Sequence, residues 1–248
     1  MIRQRHLLAA LAAAALAALP LASHAQVVNG DFGSGDLTGW QAAGDASVQP
    51  ASGTDPGHLW LTTASVDFAD DADSGLGIGA RNASGTAAVA AGLPGGLEEA
   101  SGLQIGALDP DAANGVVAFE GSVASQAFQA AAGSQLRFRW DLGTLDTFQP
   151  DTAWVVVDGQ RTTLASLADA VLPGTDGNAW HTGWTWFDLT FAQGGLHTLA
   201  FGVADIGDFD GTSTLAIADV SVTAVPEAPT VALMAAGLAL LGLRRRRA

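Results

Sequence analysis

Between residues 135 and 142 the chain reads QLRFRWDL, an unbroken alternation in which Leu136, Phe138 and Trp140 fall on one side and Arg137, Arg139 and Asp141 on the other. A period of two with one apolar face requires a half-buried strand, and a half-buried strand requires a sheet covered on one side only. Similar short runs occupy residues 116–120, 123–128, 153–157, 184–191, 196–203 and 214–222. Between them lie turn sequences such as AAGSQ, VVDGQR and AQGGLH, and the 31 glycines supply the positive backbone angles that tight turns need.

Many short strands in one stretch of about 200 residues predict an all-β fold, a two-sheet jelly-roll sandwich. Residues 62–114, rich in Ala, Gly and Asp, hold no persistent period and read as a loop-rich excursion with one or two short strands and no helix. Cysteine is absent, so disulfides and thiolate metal sites are excluded. Between residues 26 and 224 stand four bases, Arg81, Arg137, Arg139 and Arg161, against 24 acids, a net charge of about −20. Such a body repels nucleic acid and favours solubility and divalent cations.

The two ends differ from the body. Residues 1–25 carry Arg3 and Arg5, an Ala/Leu run, Pro20 and a small-residue site at Ser23 and Ala25, the layout of a secretory signal peptide. Residues 225–248 hold Val225, Pro226, Glu227, Ala228 and Pro229, then, after Thr230, an apolar run of 13 residues from Val231 to Leu243, then Arg244, Arg245, Arg246 and Arg247. This order of parts resembles the PEP-CTERM sorting signal of Gram-negative bacteria, with the second proline displaced by one. The resemblance implies export through the inner membrane, processing by exosortase, and a place at the cell surface or in the extracellular matrix. The apolar run is shorter than the ~20 residues of a permanent span, as a temporary anchor would be. The domain between the two signals is expected to cover residues 26–224.

That domain opens with VVNGDFGSGDLTGWQ and closes with LAIADVSVTAV, and it contains AAGSQLRFRWDLGTLD, DTAWVVVDG and TLAFGVADIGD. These stretches resemble jelly-roll carbohydrate-binding modules and exported proteins with such a body, in which an Asn-Gly-Asp-Phe strand pairs with the final strand. The resemblance implies a structural calcium between the two, for which Asn29, Asp31 and Asp219 are candidate ligands, although Gly33 replaces the acid that often follows the Phe. A second candidate calcium set is Asp205, Asp208 and Asp210. The acids at 67, 70, 71 and 73 read, like that set, more readily as solvated turns.

Seven tryptophans and no tyrosine leave the aromatic residues as the main functional candidates. Trp184 and Trp186 share one face of a strand, with Trp180 and His181 in the loop before it. Exposed, Trp180, Trp184 and Trp186 would stack on sugar rings; buried, they would fill the sandwich, and the buried reading is preferred because large aromatics dominate such interiors. Trp40, Trp140 and Trp154 read as core. No Gly-X-Ser-X-Gly elbow and no His-Glu-X-X-His helix is present, and a non-enzymatic role is expected. The sequence therefore predicts a structural or adhesive protein of exopolysaccharide or biofilm, with a lectin-like carbohydrate-binding module as the alternative and a polysaccharide hydrolase, using two carboxylates, third.

Overall fold

The computed structural model describes residues 26–174 and 180–224, together with Gly237. The expected signal peptide and the sorting motif of Val225 to Pro229 and Arg244 to Arg247 lie outside the described residues. Two antiparallel sheets face each other. Sheet A runs β1 (Gln41–Ala43), β5 (Ala118–Ala130), β12 (Gly195–Ile206), β7 (Thr152–Val157) and β8 (Gln160–Ser166), with β4 (Val89–Ala90) also on β5. Sheet B runs β2 (Asp45–Gln49), β3 (His58–Thr62), β13 (Ser213–Thr223), β6 (Gln135–Thr144), β10 (Trp180–His181) and β9 (Leu172–Pro173), with β11 (Thr185–Thr190) paired to the other end of β6. The all-β, two-sheet sandwich is as expected.

The inner faces follow the period of two. Leu136, Phe138, Trp140 and Leu142 of β6 meet Leu199, Phe201 and Val203 of β12 in one buried cluster, with the Phe138 and Phe201 rings edge to face at 4.7 Å. Trp40 joins this core, as expected, with its ring tilted against those of Phe32 and Phe201.

The outer faces of the two sheets differ, and that difference positions the site. Residues 62–114 fold over sheet A and build a second apolar cluster there, in which Leu97 and Leu108 pack on Trp154, Val156 and Ile206. Trp154 is fully buried on this outer side because its cross-strand partner is Gly202, where any Cβ would stand 2.3 Å from the indole. The excursion contains β4, two single-turn 3-10 segments and a one-turn helix α1 (Leu97–Ala100), which the sequence reading did not anticipate.

With β4 as its one named strand, the excursion is held largely by carboxylates that accept backbone N–H groups. Asp45, fully buried, accepts from the amides of Ala83 and Ser84 and from the hydroxyl of Thr62. Glu98 accepts from Gly92 and Gly106, and Asp109 from Ala118. Asp71 takes both the amide and the hydroxyl of Thr212, and Asp70 takes the amide of Ser65. Asp70 and Asp71 are thus buried staples, not solvated turns, because the unpaired amides around them have no other acceptor.

Candidate functional site

Among the described residues no second apolar cluster covers the outer face of sheet B, and the register of its strands fixes what stands there. In β6 the outward residues are Arg137, Arg139 and Asp141, the partners of Asp188, Trp186 and the turn before β11. In β13 they are Ala216 and Ala218, next to β6 on one side and to Trp60 and His58 of β3 on the other. The side chains of β11 alternate in the same way: Phe187 stacks inward on Phe138 at 4.8 Å, so Trp186 and Asp188 point outward.

The turn between β10 and β11 is built by Asp141. Its carboxylate accepts from the Thr182 hydroxyl at 3.0 Å and the Gly183 amide at 2.9 Å, and Gly183 takes a φ of +74°, which a side chain would resist. This kink sends Trp184 over the sheet. The Trp184 ring lies 5.7 Å from His58 of β3 and 5.6 Å from the Arg139 guanidinium of β6, so it bridges β13, and its Nε1 donates to Asp55. Ala216 and Ala218 of β13, which lie between these two strands, are small and buried.

Trp186 is 46% exposed and is held from below by two cations. The Arg137 guanidinium sits 4.1 Å from its ring centroid and that of Arg139 sits 5.3 Å away. Each cation is in turn held by an acid: Arg139 donates through Nε to Asp219 at 2.7 Å, and Arg137 pairs with Asp188 at 3.4 Å. The rings of Trp60, His58, Trp184 and Trp186 therefore follow one another across the strands of a rigid face.

The expected core placement of Trp184 and Trp186 is overturned. Trp186 stands on the solvent side because Phe187 and Leu189 take the inward positions of β11, and Trp184, half-buried in the turn before β11, belongs to neither core cluster. The signal lay in Asp188, which shares the parity of Trp186 and marks that face as wet. Trp180 is also exposed, but in strand β10 opposite Thr144, not in a loop; no ring contact among the described residues joins it to the others. Trp60 and His58 were not singled out, since the five residues of β3 alternate without a charge to mark the outer side. Trp140 and Trp154 are buried as expected.

Neither candidate calcium set is gathered. Asp219 is committed to Arg139, while Asn29 and Asp31 satisfy their own turn by accepting from Ser34 and Gly33. The opening motif does meet the last strand, through Val220 N–H donating to Gly30 C=O at 2.8 Å, but as a turn and not as a strand. Asp205 is buried beside Asp151 inside the sandwich end, whereas Asp208 accepts from the Asp210 amide in the loop outside. Among the described residues no three acidic or histidine side chains are grouped to hold a metal ion, and none of the described helices is long and apolar enough to cross a membrane.

The buried end of the sandwich carries the perturbed acids. Burial, with Asp70 and Asp67 nearby, pushes the Glu120 carboxyl up to about 7. Burial likewise raises Asp151 to about 7, and burial with the neighbouring Asp151 holds Asp205 well above the carboxylate range. A concavity of about 470 Å³ lies on sheet A, lined by Gln41, Glu99, Ser125 and Thr198, and its lining includes no aromatic ring.

No protein-family model matches the chain, and no curated protein matches it. Among solved structures it is similar to TmCBM61 in complex with β-1,4-galactotriose, at 10% identity over 82% of this chain and all of that one, with a TM-score of 0.41. It is similar to the carbohydrate-binding module CBM28, specific for non-crystalline cellulose, at 10% identity over 80% and 95% of the two chains, TM-score 0.39. It is also similar to the K3 cleaved adhesin domain of Lys-gingipain from Porphyromonas gingivalis w83, at 13% identity over 80% and 99%, TM-score 0.42.

Proposed function

We propose that the open face of sheet B binds carbohydrate by stacking sugar rings on Trp186 and Trp184. The observation that supports this reading is the pair of indoles fixed on a solvent face by Arg137, Arg139, Asp55 and the Asp141 turn. A large apolar ring is held in water at the cost of its own hydration, and a flat, rigid, amphipathic platform suits the apolar face of a pyranose with hydrogen-bonding groups at its edge. The carboxyls with raised pKa do not belong to this face: Asp151 and Asp205 are each 1% exposed and cannot touch a polymer, so the hydrolase reading gains nothing from them. In this proposal the terminal signals, if processed, deliver the domain to exopolysaccharide at the surface of a Gram-negative cell, with exosortase acting at the tail. Intact-mass measurement of the surface protein tests that part, since retention of Ala248 would contradict processing.

Replacing Trp186 with Ala tests the stacking face. About half of an indole is already in water, so the change removes roughly 100 Å² of buried surface, worth about 2–3 kcal/mol with the lost cation contact at most. Retention on polysaccharide gels should vanish while the domain stays folded. Undiminished retention, or collapse of the fold as for a core residue, would refute the proposal.

A further inference from the structure

We infer that the ligand of this face is a neutral glycan, taken as an extended chain that runs across the strands from Trp186 towards Trp60. The inference rests on the sugar-stacking reading and names the class of sugar. Two features of the face carry it.

The first is charge. Arginine is the residue best suited to a carboxylate or sulfate, and two arginines in an otherwise acidic body would be the natural sign of an anionic glycan. Both are engaged: Arg139 donates to Asp219, while Arg137, itself half-exposed, lies 3.4 Å from the half-exposed Asp188 and against the Trp186 ring. With Asp55 at the Trp184 edge and Asp141 at the turn, four carboxylates surround two guanidinium groups, so the face as a whole is negative. The remainder of the body adds to the repulsion of polyanions. The arginines act as stacking supports for indole and not as anion receptors.

The second feature is direction. β3, β13, β6 and β11 are consecutive neighbours, so the rings from Trp60 to Trp186 span three strand spacings, about 14 Å. His58, itself buried, links Trp60 to Trp184, and Trp184 and Trp186 share Arg139, which ties the three indoles into one series. A single sugar covers only one ring of it; an oligosaccharide lying across the strands covers the whole.

Affinity gel electrophoresis of the full domain tests this, with galactan, mannan and β-glucan as neutral probes and alginate and polygalacturonate as anionic ones. Retention is expected on at least one neutral gel and on neither anionic gel, changing less than about twofold between about 0.01 M and about 1 M sodium chloride, where screening lengths fall from about 30 to about 3 Å. Trp60→Ala is expected to weaken binding of a long neutral chain about tenfold, or about 1.4 kcal/mol, while leaving a disaccharide of the same sugar nearly unaffected. Thermal melting of each variant confirms that it is folded. Retention on alginate that is lost in Trp186→Ala and falls with salt would overturn the neutral class while leaving the stacking face intact. Equal loss of long and short chains in Trp60→Ala would overturn the course across the strands. Failure to bind any glycan would remove the stacking reading itself, and this inference with it. Asp188→Asn supplies the converse: freeing Arg137 should bring measurable retention on polygalacturonate, and its absence would count against the charge argument.

Discussion

Acidification from about pH 8 to about pH 5 should stabilise this protein, and the buried acids at one end of the sandwich give the magnitude. Asp151 is 1% exposed; Ser213 Oγ–H and Ile206 N–H donate to its carboxyl, and burial raises it to about 7. Asp205 faces it, and Glu120 stands directly across the ladder from Asp205, with Asp146, Asp70 and Asp67 beyond; the described ion pairs bring no base to any of them. In the unfolded chain these groups titrate near the ordinary carboxylate value, so the folded state holds protons that the unfolded state releases. The stabilisation is fully present below about pH 4 and is lost as pH rises through about 7. One such proton changes stability by about 1.4 kcal/mol per pH unit within that window, or about 2–3 kcal/mol between pH 8 and pH 5. Glu120 adds less, because it is partly exposed and water screens it. For a domain of this size that corresponds to a rise of roughly 5–10 °C in the midpoint. Calorimetry across the range measures it directly. Asp151→Asn cannot release a proton and should flatten the profile, approaching or exceeding the parent stability at about pH 8. A flat profile in the parent protein, or a midpoint that falls on acidification over this range, would refute the reasoning.

Gly202→Ala should destabilise by about 1–3 kcal/mol, since its Cβ would enter the Trp154 indole and neither the strand nor the ring has room to yield; chemical denaturation reads the loss. Millimolar calcium should leave the melting midpoint unchanged, because Asp219 is bound to Arg139 and Asp205 is buried away from Asp208 and Asp210. A rise reversed by chelator would restore a calcium site.

What could be read beforehand depended on whether a residue's partners were local. The period in β6 is plain because one face is core and the other carries charge, whereas β7, β12 and β13 show as short apolar runs because most of their residues are buried on both faces. β5 appeared as two runs broken at Gly121 and Ser122, yet it is one strand; Gly121 is there because the Val203 carbonyl and Leu97 crowd it from outside. β10 has two residues and no period at all. The acids were the least legible feature. Asp45 holds amides 38 and 39 residues away and Asp71 holds Thr212 from 141 residues away, so nothing near either one distinguishes a staple from a wet turn. The stacking face was half legible: the shared parity of Trp184 and Trp186 was seen, but its side of the sheet depended on Asp188 and Phe187 being weighed together.

The final strand, β13, sits in the middle of sheet B, between β3 and β6, and it also receives the opening turn at Gly30. A chain made or threaded from its N-terminus thus delivers the central member of this sheet last. Until residue 223 is free, the β2–β3 pair lacks the strand that joins it to the sheet and β6 lacks one edge. Pairing β13 with β3 draws together segments more than 150 residues apart, a long-range closure of the kind that slows β-sandwiches. A chain emerging from its N-terminus therefore keeps sheet B open to the end, and a shortened product that stops before β13 leaves that sheet in two separate pieces.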